Sequence, residues 1–203
     1  RSAGGYAANV EAVTTPVPAA IDFTSAPAAH VEDTPDTPTI DTLVAAANAD
    51  HPRSDGRAWT AADTLKNVVV MVVPPDGTRE PLAIGVPGDR EVDEKRLGAQ
   101  VEPARAEAFE EKDFATYPTL AKGYIGPWSA AGAVLGEGST TKIPYFLDPR
   151  VSVGTSWITG ANEPGRHVFD LTMGREFTAD GTIETAEILV GDTCPRCGSA
   201  LTI

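Results

Sequence analysis

The sequence predicts an α+β (mixed α/β) fold with a mostly antiparallel or mixed central sheet flanked by short helices. The first observation is the run Val68–Val73, which is apolar and rich in β-branched residues, as in a buried central strand. The second is the turn sequence Pro74–Gly77, after which Leu82–Val86 can pair back as a hairpin. The third is the content of 17 Pro and 19 Gly, which indicates many turns and few long helices. Hairpins with interposed helices argue against a regularly alternating parallel sheet.

Ahead of the central strand, the chain shows a linker pattern and two helix patterns. Residues 21–38 are rich in Pro, Ala, Thr and Asp, which is typical of an extended linker and not of a packed element. From Thr39 to Asn48, apolar residues recur at i, i+3, i+4 and i+7, which predicts an amphipathic helix. Thr60–Asp63 is a capping-box sequence and predicts a short helix over about 61–66. Lys66 is then expected at a junction between helix and strand.

After the hairpin, the sequence predicts two more helices and four more strands. The helices are expected at Val92–Leu97 and Arg105–Phe114, and the strands at Lys142–Leu147, Ser156–Thr159, His167–Leu171 and Ile183–Val190.

Composition limits the classes of function. Of the 203 residues, 41% are hydrophobic and 22% are charged, as in ordinary soluble globular proteins, and no apolar run has the roughly 18 residues of a membrane span. The net charge of −13 argues against a broad nucleic-acid surface, because phosphates favour basic patches. Contact with only the 3' end of an RNA needs one or two cations, so we expect weak RNA affinity. The chain starts at Arg1, and we expect it to be a segment of a longer protein.

The two cysteines, Cys194 and Cys197, form the motif Cys-Pro-Arg-Cys-Gly, which is one half of a zinc knuckle. A structural zinc site would need two more ligands, and the three histidines are distant in sequence. The pattern favours a tight turn with two unused thiols, with zinc completed by residues outside the chain and redox chemistry as the alternatives. We therefore expect no metal. No disulfide framework is indicated, which favours a reducing compartment such as the cytoplasm.

Three short tracts carry most of the functional information: Leu65-Lys66, the loop Gly123–Pro127, and Gly160-Ala161-Asn162 followed by Arg166-His167. In this order and with these gaps, the chain resembles the insertion (editing) domain of bacterial-type prolyl-tRNA synthetases, which has a YbaK-like deacylase fold. No single tract is specific, but the combination is.

The resemblance covers almost the whole chain and implies a division into three parts. Tyr6–Glu11 resembles the end of the synthetase catalytic core, and His30–Pro35 resembles the start of the inserted domain. Gly191-Asp192 and the Cys-x-x-Cys resemble the return to the core. We therefore expect a core segment at 1–20, the editing domain at 21–190 and the return segment at 191–203.

Some positions depart from the family's pattern. Pro87 stands where the family usually has Arg, Asp93-Glu94 stands where an Asn-Glu pair is common, and residues 101–122 match poorly. These departures concern the rim that would contact RNA.

The resemblance implies hydrolysis of alanyl-tRNA(Pro) by a positioned water. A synthetic site shaped for proline cannot exclude alanine, because each missing methylene offers only about 1–3 kcal/mol of discrimination, and a second, hydrolytic site corrects the error. An aminoacyl ester is already activated. The absence of a Gly-x-Ser-x-Gly elbow and of a His-Glu-x-x-His motif is therefore compatible with this reaction.

The resemblance also assigns catalytic roles. Lys66 would bind the phosphate or ribose of the terminal adenosine; otherwise it is a solvated lysine at a helix end. Gly123, Gly126 and Pro127 would form a loop whose N–H groups hold the water or the oxyanion; otherwise they form a surface turn. His167 would shape the alanine pocket, with a general-base role second and a hydrogen-bonded histidine at a strand edge as the structural alternative.

The expected substrate-binding residues are Asp148, Gly160, Ala161 and Asn162. Asp148 precedes a proline and would hold the substrate's α-ammonium group or cap a turn. The other three are small and would form the pocket wall, although Asn162 also suits a plain turn.

Cofactors and partners follow from the same resemblance. Editing needs no cofactor, the parent synthetase would use ATP and Mg²⁺, and zinc is not expected at Cys194 and Cys197. The expected partners are the 3' end of tRNA(Pro) and the rest of the synthetase chain, with a homodimeric parent enzyme and no membrane. Two alternatives remain: a non-catalytic module that positions tRNA or braces the synthetase, and a free-standing trans-editing deacylase.

Overall fold

The computed structural model describes residues 1–202, which form ten strands, three α-helices and two 3₁₀ turns. The 3₁₀ turns are Val10–Ala12 and Ala61–Asp63, and the helices are α1 (Ile40–Asp50), α2 (Glu94–Val101) and α3 (Glu111–Phe114). The strands are β1 (His30–Asp33), β2 (Leu65–Val73), β3 (Glu80–Pro87), β4 (Arg105–Ala108), β5 (Trp128–Ser129), β6 (Gly132–Ala133), β7 (Tyr145–Leu147), β8 (Ser156–Gly160), β9 (Arg166–Thr172) and β10 (Gly181–Thr182).

The strands form a five-stranded mixed sheet, a three-stranded antiparallel sheet and a small hairpin. The mixed sheet has the order β10-β7-β3-β2-β4, in which β2 is antiparallel to both neighbours and β7 is parallel to β3 and β10. The smaller sheet has the order β1-β9-β8, and β5 pairs with β6. A parallel bridge between Thr64 and Ile158 joins the two larger sheets. The predicted fold class is confirmed.

The main core lies where the two larger sheets meet. It includes Leu65 and Leu147 from the mixed sheet and Val168 and Leu171 from the smaller one, each at most 3% exposed. Burying one such side chain contributes about 1.5–3 kcal/mol. The predicted hairpin is also confirmed, because β2 and β3 pair along their length, from Leu65 opposite Pro87 to Val72 opposite Glu80.

Helix α1 covers the three-stranded sheet. Thr39 caps its first turn by accepting from the Thr42 N–H, and the Thr42 hydroxyl accepts from the Thr39 N–H in return. Its buried residues Leu43 and Ala47 pack with a cluster that contains Phe169 of β9. The predicted helix over 39–48 is confirmed, with an end two residues later.

The prediction that residues 21–38 form only a linker is wrong. Within this range, β1 pairs with β9, His30 opposite Phe169 and Asp33 opposite Arg166. Thr34 and Thr37, which follow β1, are buried. The reason is tertiary: a Pro-rich segment gains strand structure by pairing with an edge supplied more than a hundred residues later.

The predicted helix over 61–66 is shorter than expected. The Thr60–Asp63 capping box is present, but the helical turn ends at Asp63 and β2 begins at Leu65. Lys66 is therefore the second residue of a strand, opposite Val86, and not a residue at a helix end. The pairing of β2 with β3 extends further towards the N-terminus than the apolar run alone indicated.

Two predictions in the second half of the chain are wrong. Arg105–Ala108 is not helical but forms the edge strand β4, because β2 offers it a free edge from Val70 to Val73. Only α3 keeps part of the predicted helix. In the range Ile183–Val190, the structure has a single bridge at Ala186 in place of a strand.

The remaining elements match with shifted bounds. Helix α2 starts at Glu94, after its N-cap Asp93, and not at Val92. Strand β7 starts at Tyr145, because Lys142 adopts a positive φ of 56° that interrupts an extended chain. The strands predicted near Ser156 and His167 are confirmed as β8 and β9.

The two ends of the described chain pack on each other. Ser2 pairs with Leu201, and Val13, Cys194 and Leu201 form a small core of their own. The buried guanidinium of Arg96 holds this unit to α2 by donating to the carbonyls of residues 10 and 13. No helix in the range 1–202 is long and apolar enough to cross a membrane.

Candidate functional site

A cavity of about 500 Å³ opens between the mixed sheet and the smaller sheet. Such a volume suits a small ligand or the end of a larger one. The start of α1, the first residues of β2, the end of β8 and the segment before Ile125 line it. Four of the predicted site residues lie on its wall, namely Lys66, Gly123, Gly160 and His167. The structure thus brings together three tracts that are far apart in the chain.

Lys66 supplies a cation to the cavity. Its Nζ lies 2.7 Å from Oε1 of Glu91, and both residues line the cavity. The Lys66 side chain is 22% exposed and that of Glu91 is 77% exposed. A pair with one partner so exposed contributes at most about 1 kcal/mol. A phosphate or other anion can therefore displace Glu91 at small cost.

The loop Gly123–Pro127 is fixed to the end of β8 by Asn162. The Asn162 side chain accepts from the Gly126 N–H (3.1 Å) and donates to the Gly126 carbonyl (3.0 Å). Its own N–H donates to the Tyr124 carbonyl (2.8 Å). The Gly126 N–H is already engaged, so the cavity-facing glycine of the loop is Gly123, whose φ of +84° is in the left-handed region.

Gly126 and Gly160 allow the loop and β8 to touch backbone to backbone. A Cβ added to Gly126 would lie 1.8 Å from the Gly160 carbonyl oxygen. A Cβ added to Gly160 would lie 2.2 Å from the Tyr124 carbonyl oxygen. Both contacts are far below van der Waals separation and involve backbone, which cannot rotate away. These glycines are required by packing.

We expect Gly126→Ala to lower the free energy of unfolding by about 1–3 kcal/mol, because the loop must move off β8 to admit a methyl group. Urea denaturation followed by circular dichroism measures this change. The matched control is Gly98→Ala, since Gly98 is an exposed residue of α2 with open space at its Cβ position. Removing a helical glycine should leave stability unchanged or raised. Equal midpoints for the wild type and Gly126→Ala would contradict the close packing.

His167 is a buried, neutral wall residue of the cavity. It is 6% exposed and stands opposite Gly160 in the β8–β9 pair. Its Nδ1 lies 2.6 Å from Oγ1 of Thr34, and its ring centroid lies 5.4 Å from that of Tyr124. Burial lowers the pKa of His167 to about 4. The imidazole is therefore uncharged at neutral pH.

This lowered pKa predicts acid sensitivity. The pKa of His167 is about 4 in the folded state against 6.5 in the unfolded state, so the unfolded state binds more protons between these values. The free energy of unfolding therefore includes a contribution from the neutral His167 that is fully present above pH 6.5. This contribution is lost as the pH falls towards 4, by about 3 kcal/mol in total. Urea denaturation at the two pH values measures the change in the free energy of unfolding. His167→Gln has no titrating group at this position, so its loss of stability on acidification should be smaller by the same amount. An equal loss in both proteins would refute the lowered pKa of His167.

Asn67 is a cavity residue that the sequence analysis missed. Its Nδ2 donates to the Ile125 carbonyl (3.0 Å) and to Oγ1 of Thr159 (2.8 Å), and its Oδ1 accepts from the Tyr145 hydroxyl (2.6 Å). The Thr159 hydroxyl in turn donates to the Leu65 carbonyl (2.9 Å). The network ties β2, β7, β8 and the glycine loop together at the cavity. An asparagine inside a valine-rich strand was the available signal, since buried polar groups require partners.

Thr34 is the second missed residue. Its hydroxyl lies within hydrogen-bonding distance of both the His167 ring and the Gly165 carbonyl, and its N–H donates to that same carbonyl. It fixes the orientation of the histidine. No local sequence pattern indicates this role, because Thr34 lies in a segment with the composition of a linker.

The other predicted site residues lie outside the cavity wall. Pro127 and Ala161 are buried behind it, and Asn162 acts on the loop as described. Asp148 is fully buried at the end of β7, where its carboxylate accepts from the Arg150 N–H and guanidinium. Burial raises the pKa of Asp148, and Arg150 opposes this effect. The Asp148 carboxylate, predicted to hold the substrate's α-ammonium group, is not part of the cavity wall.

Over residues 1–202, no group of three or more His, Cys, Asp or Glu side chains could hold a metal ion. The cavity wall presents two lysines (Lys66 and Lys122), the Glu91 carboxylate, one neutral histidine, one bonded asparagine and a glycine loop, together with apolar side chains. Such a set can bind an anion and a polar ester and can orient a water. It offers no serine or cysteine nucleophile beside a base.

Comparison with known proteins gives one family and many close relatives. The family model of the aminoacyl-tRNA editing domain matches residues 34–176. The chain is 65% identical to the proline--tRNA ligase of Kineococcus radiotolerans over 96% of this chain and 32% of that protein. It is 60% identical to that of Cutibacterium acnes, over 96% and 32%, and 58% identical to that of Clavibacter sepedonicus, over 96% and 33%. The chain spans about a third of the length of these relatives.

Proposed function

Because the chain belongs to the aminoacyl-tRNA editing domain family, we propose that it hydrolyses mischarged alanyl-tRNA(Pro) as the editing domain of a prolyl-tRNA synthetase. The observation that carries the proposal is the single cavity that joins Lys66, Gly123, Gly160 and His167. The names of the relatives are the basis for proposing tRNA as the substrate, and the size role proposed below for His167 is the basis for proposing a small side chain.

In the proposed reaction, a water attacks the carbonyl carbon of the aminoacyl ester. The C–O bond to the terminal ribose breaks, and alanine leaves with a free carboxylate while the tRNA regains its hydroxyl. Lys66 holds a phosphate or the ribose of the terminal adenosine, displacing Glu91 from its ammonium. The backbone at Gly123 faces the reacting ester and orients the water or the oxyanion.

His167 is proposed as a determinant of size. Its ring is held by Thr34 on one side and lies close to Tyr124 on the other, so it cannot swing out of the wall. Being neutral, it presents a rigid surface without repelling the substrate's α-ammonium group. The role proposed for this wall is to admit a methyl side chain and to exclude a pyrrolidine ring. A general-base role is second, because a pKa near 4 makes the imidazole a weak base at neutral pH.

We expect His167→Ala to relax this selectivity, so that prolyl-tRNA(Pro) becomes a substrate beside alanyl-tRNA(Pro). The physical reason is the volume freed in the wall. Deacylation of the two charged tRNAs under equal conditions measures it. His30→Ala is the matched control, since the His30 side chain is 45% exposed and does not line the cavity. An unchanged preference in His167→Ala would rule out the size role.

The wider setting is proposed from the relatives. Residues 1–20 and 191–203 would be catalytic-core segments that flank an editing domain at 21–190, and the packing of Ser2 on Leu201 supports such flanks. The rest of the chain would ligate proline to tRNA(Pro) with ATP and Mg²⁺, as a homodimer in the cytoplasm. The partners of this segment would be the tRNA 3' end and that core.

The decisive test is hydrolysis of alanyl-, prolyl- and cysteinyl-tRNA(Pro) by this chain and by the whole enzyme. We expect the alanyl ester to be cleaved and the prolyl ester to be spared. Binding of tRNA by both proteins without hydrolysis of any ester would instead support a non-catalytic module that positions tRNA.

A further inference from the structure

The Cys-x-x-Cys motif forms a tight turn that plays no part in the cavity. The Cys194 N–H donates to the Ser199 carbonyl (2.8 Å), and the Gly198 N–H donates to the Cys194 carbonyl (3.0 Å). The two thiols of this turn differ in their exposure to solvent. Cys194 is 1% exposed and packs with Val13 and Leu201, whereas Cys197 lies at the surface.

Hydrogen-bond donors surround the Cys197 sulfur. The Ser199 and Ser2 hydroxyls lie 3.1 Å and 3.4 Å from it, and each hydroxyl can donate to a thiolate at this position. These bonds, that of the Ser199 hydroxyl first, lower the pKa of the Cys197 thiol to about 6. The charged neighbour Arg196 instead faces the ring of Tyr6, at 5.6 Å. An exposed sulfur held by donors is the environment of a reactive thiolate.

We propose that Cys197 is a nucleophilic thiolate that reacts with low-molecular-weight disulfides, and that Cys194 then resolves the adduct. In the first step the Cys197 sulfur forms a bond to one sulfur of the disulfide and releases the other as a thiolate. In the second, the Cys194 thiol loses its proton and attacks Cys197, which releases the second small thiol. The protein dithiol is oxidised to a disulfide, and the small disulfide is reduced to two thiols.

The N-terminal residues Ser2 and Gly4 pack against Cys197. A Cβ at Gly4 would lie 2.7 Å from the Cys197 sulfur, so the segment packs directly on it. Ser2 both contacts that sulfur and pairs with Leu201. The Cys197 sulfur is therefore bordered by the N-terminal residues on one side and is open to solvent on the other.

The experiment exposes the reduced, intact chain to oxidised glutathione at pH 7, followed by acid quench and peptide mass spectrometry. We expect the wild type to form the Cys194–Cys197 disulfide. Cys194→Ser should stop at a glutathione adduct on Cys197, and Cys197→Ser should leave Cys194 unmodified. Cys194→Ala, which places a small apolar residue at the buried position, should give the same glutathione adduct on Cys197 as Cys194→Ser. Equal labelling of both cysteines, or none of Cys197, would overturn the proposal.

A second readout is alkylation of Cys197 by iodoacetamide as a function of pH. We expect a midpoint near 6 and, at that pH, a rate on the order of tenfold above free cysteine. Ser199→Ala should raise the midpoint, while Ser54→Ala, an exposed serine elsewhere, should not. An ordinary thiol midpoint in the wild type would refute the proposal. So would one zinc ion per chain that protects both thiols, since the motif would then be half of a metal site.

Discussion

Lys66→Ala is expected to lower kcat/KM for hydrolysis of alanyl-tRNA(Pro) by about 10- to 100-fold while leaving the fold intact. A hydrogen bond from a charged donor contributes about 1.5–3 kcal/mol, and the proposed contact to the terminal adenosine is of this kind. The fold should survive, because within residues 1–202 the Lys66 ammonium pairs only with the exposed Glu91 carboxylate. Initial rates on charged tRNA, with the circular dichroism spectrum and the urea midpoint, measure both parts.

Two control variants separate the cation from its ion pair. Glu91→Gln breaks the same pair but keeps the lysine, so hydrolysis should be unchanged or faster. Lys112→Ala removes an exposed lysine that pairs with Glu110 outside the cavity and should have no effect on activity. Full activity in Lys66→Ala, assayed in the parent enzyme, would remove the proposed role.

Asn67→Leu is expected to be the most destabilising of these substitutions, by about 2–5 kcal/mol. Leucine has a similar volume but leaves the Tyr145 hydroxyl and the Ile125 carbonyl without their partner. Tyr145 is fully buried, so water cannot replace that partner. The glycine loop would also lose one of its ties to the sheet, and hydrolysis should fall with stability. Urea denaturation and charged-tRNA assays test the two effects.

A double-mutant cycle with Tyr145→Phe identifies the cause. The phenylalanine removes the buried hydroxyl that Asn67→Leu would leave unpaired. The double variant should therefore lose less stability than the sum of the two single variants. Additive losses, or a wild-type midpoint for Asn67→Leu, would show that the hydrogen bonds to Asn67 do not hold the site.

The family was readable from the sequence, and the match of the aminoacyl-tRNA editing domain confirms the resemblance. The elements that follow local rules were also predicted well. Helix α1 follows from its apolar spacing and its Thr39 cap, and the β2–β3 hairpin follows from the valine run and the Pro74–Gly77 turn. In each of these the residues that decide the structure are close neighbours in the chain.

The errors share one physical cause. Strands β1 and β4 carry no strong strand pattern and exist because β9 and β2 offer them free edges. Arg105–Phe114 was therefore predicted as a helix, although its first four residues form a strand of the mixed sheet. A local pattern cannot report which distant edge lacks a partner, and the free energy of pairing is enough to override a weak preference.

By itself, the sequence determined the fold class, the central hairpin, the first helix and the tracts that contain Lys66 and His167. The tertiary structure decided which residues meet. It placed Lys66, Gly123, Gly160 and His167 on one cavity wall and left Asp148 buried beside Arg150. It also added Asn67 to that wall and placed Thr34 against the His167 ring. The physical reason is that a cavity wall is formed by side chains from distant segments, and their contacts depend on how the two sheets pack.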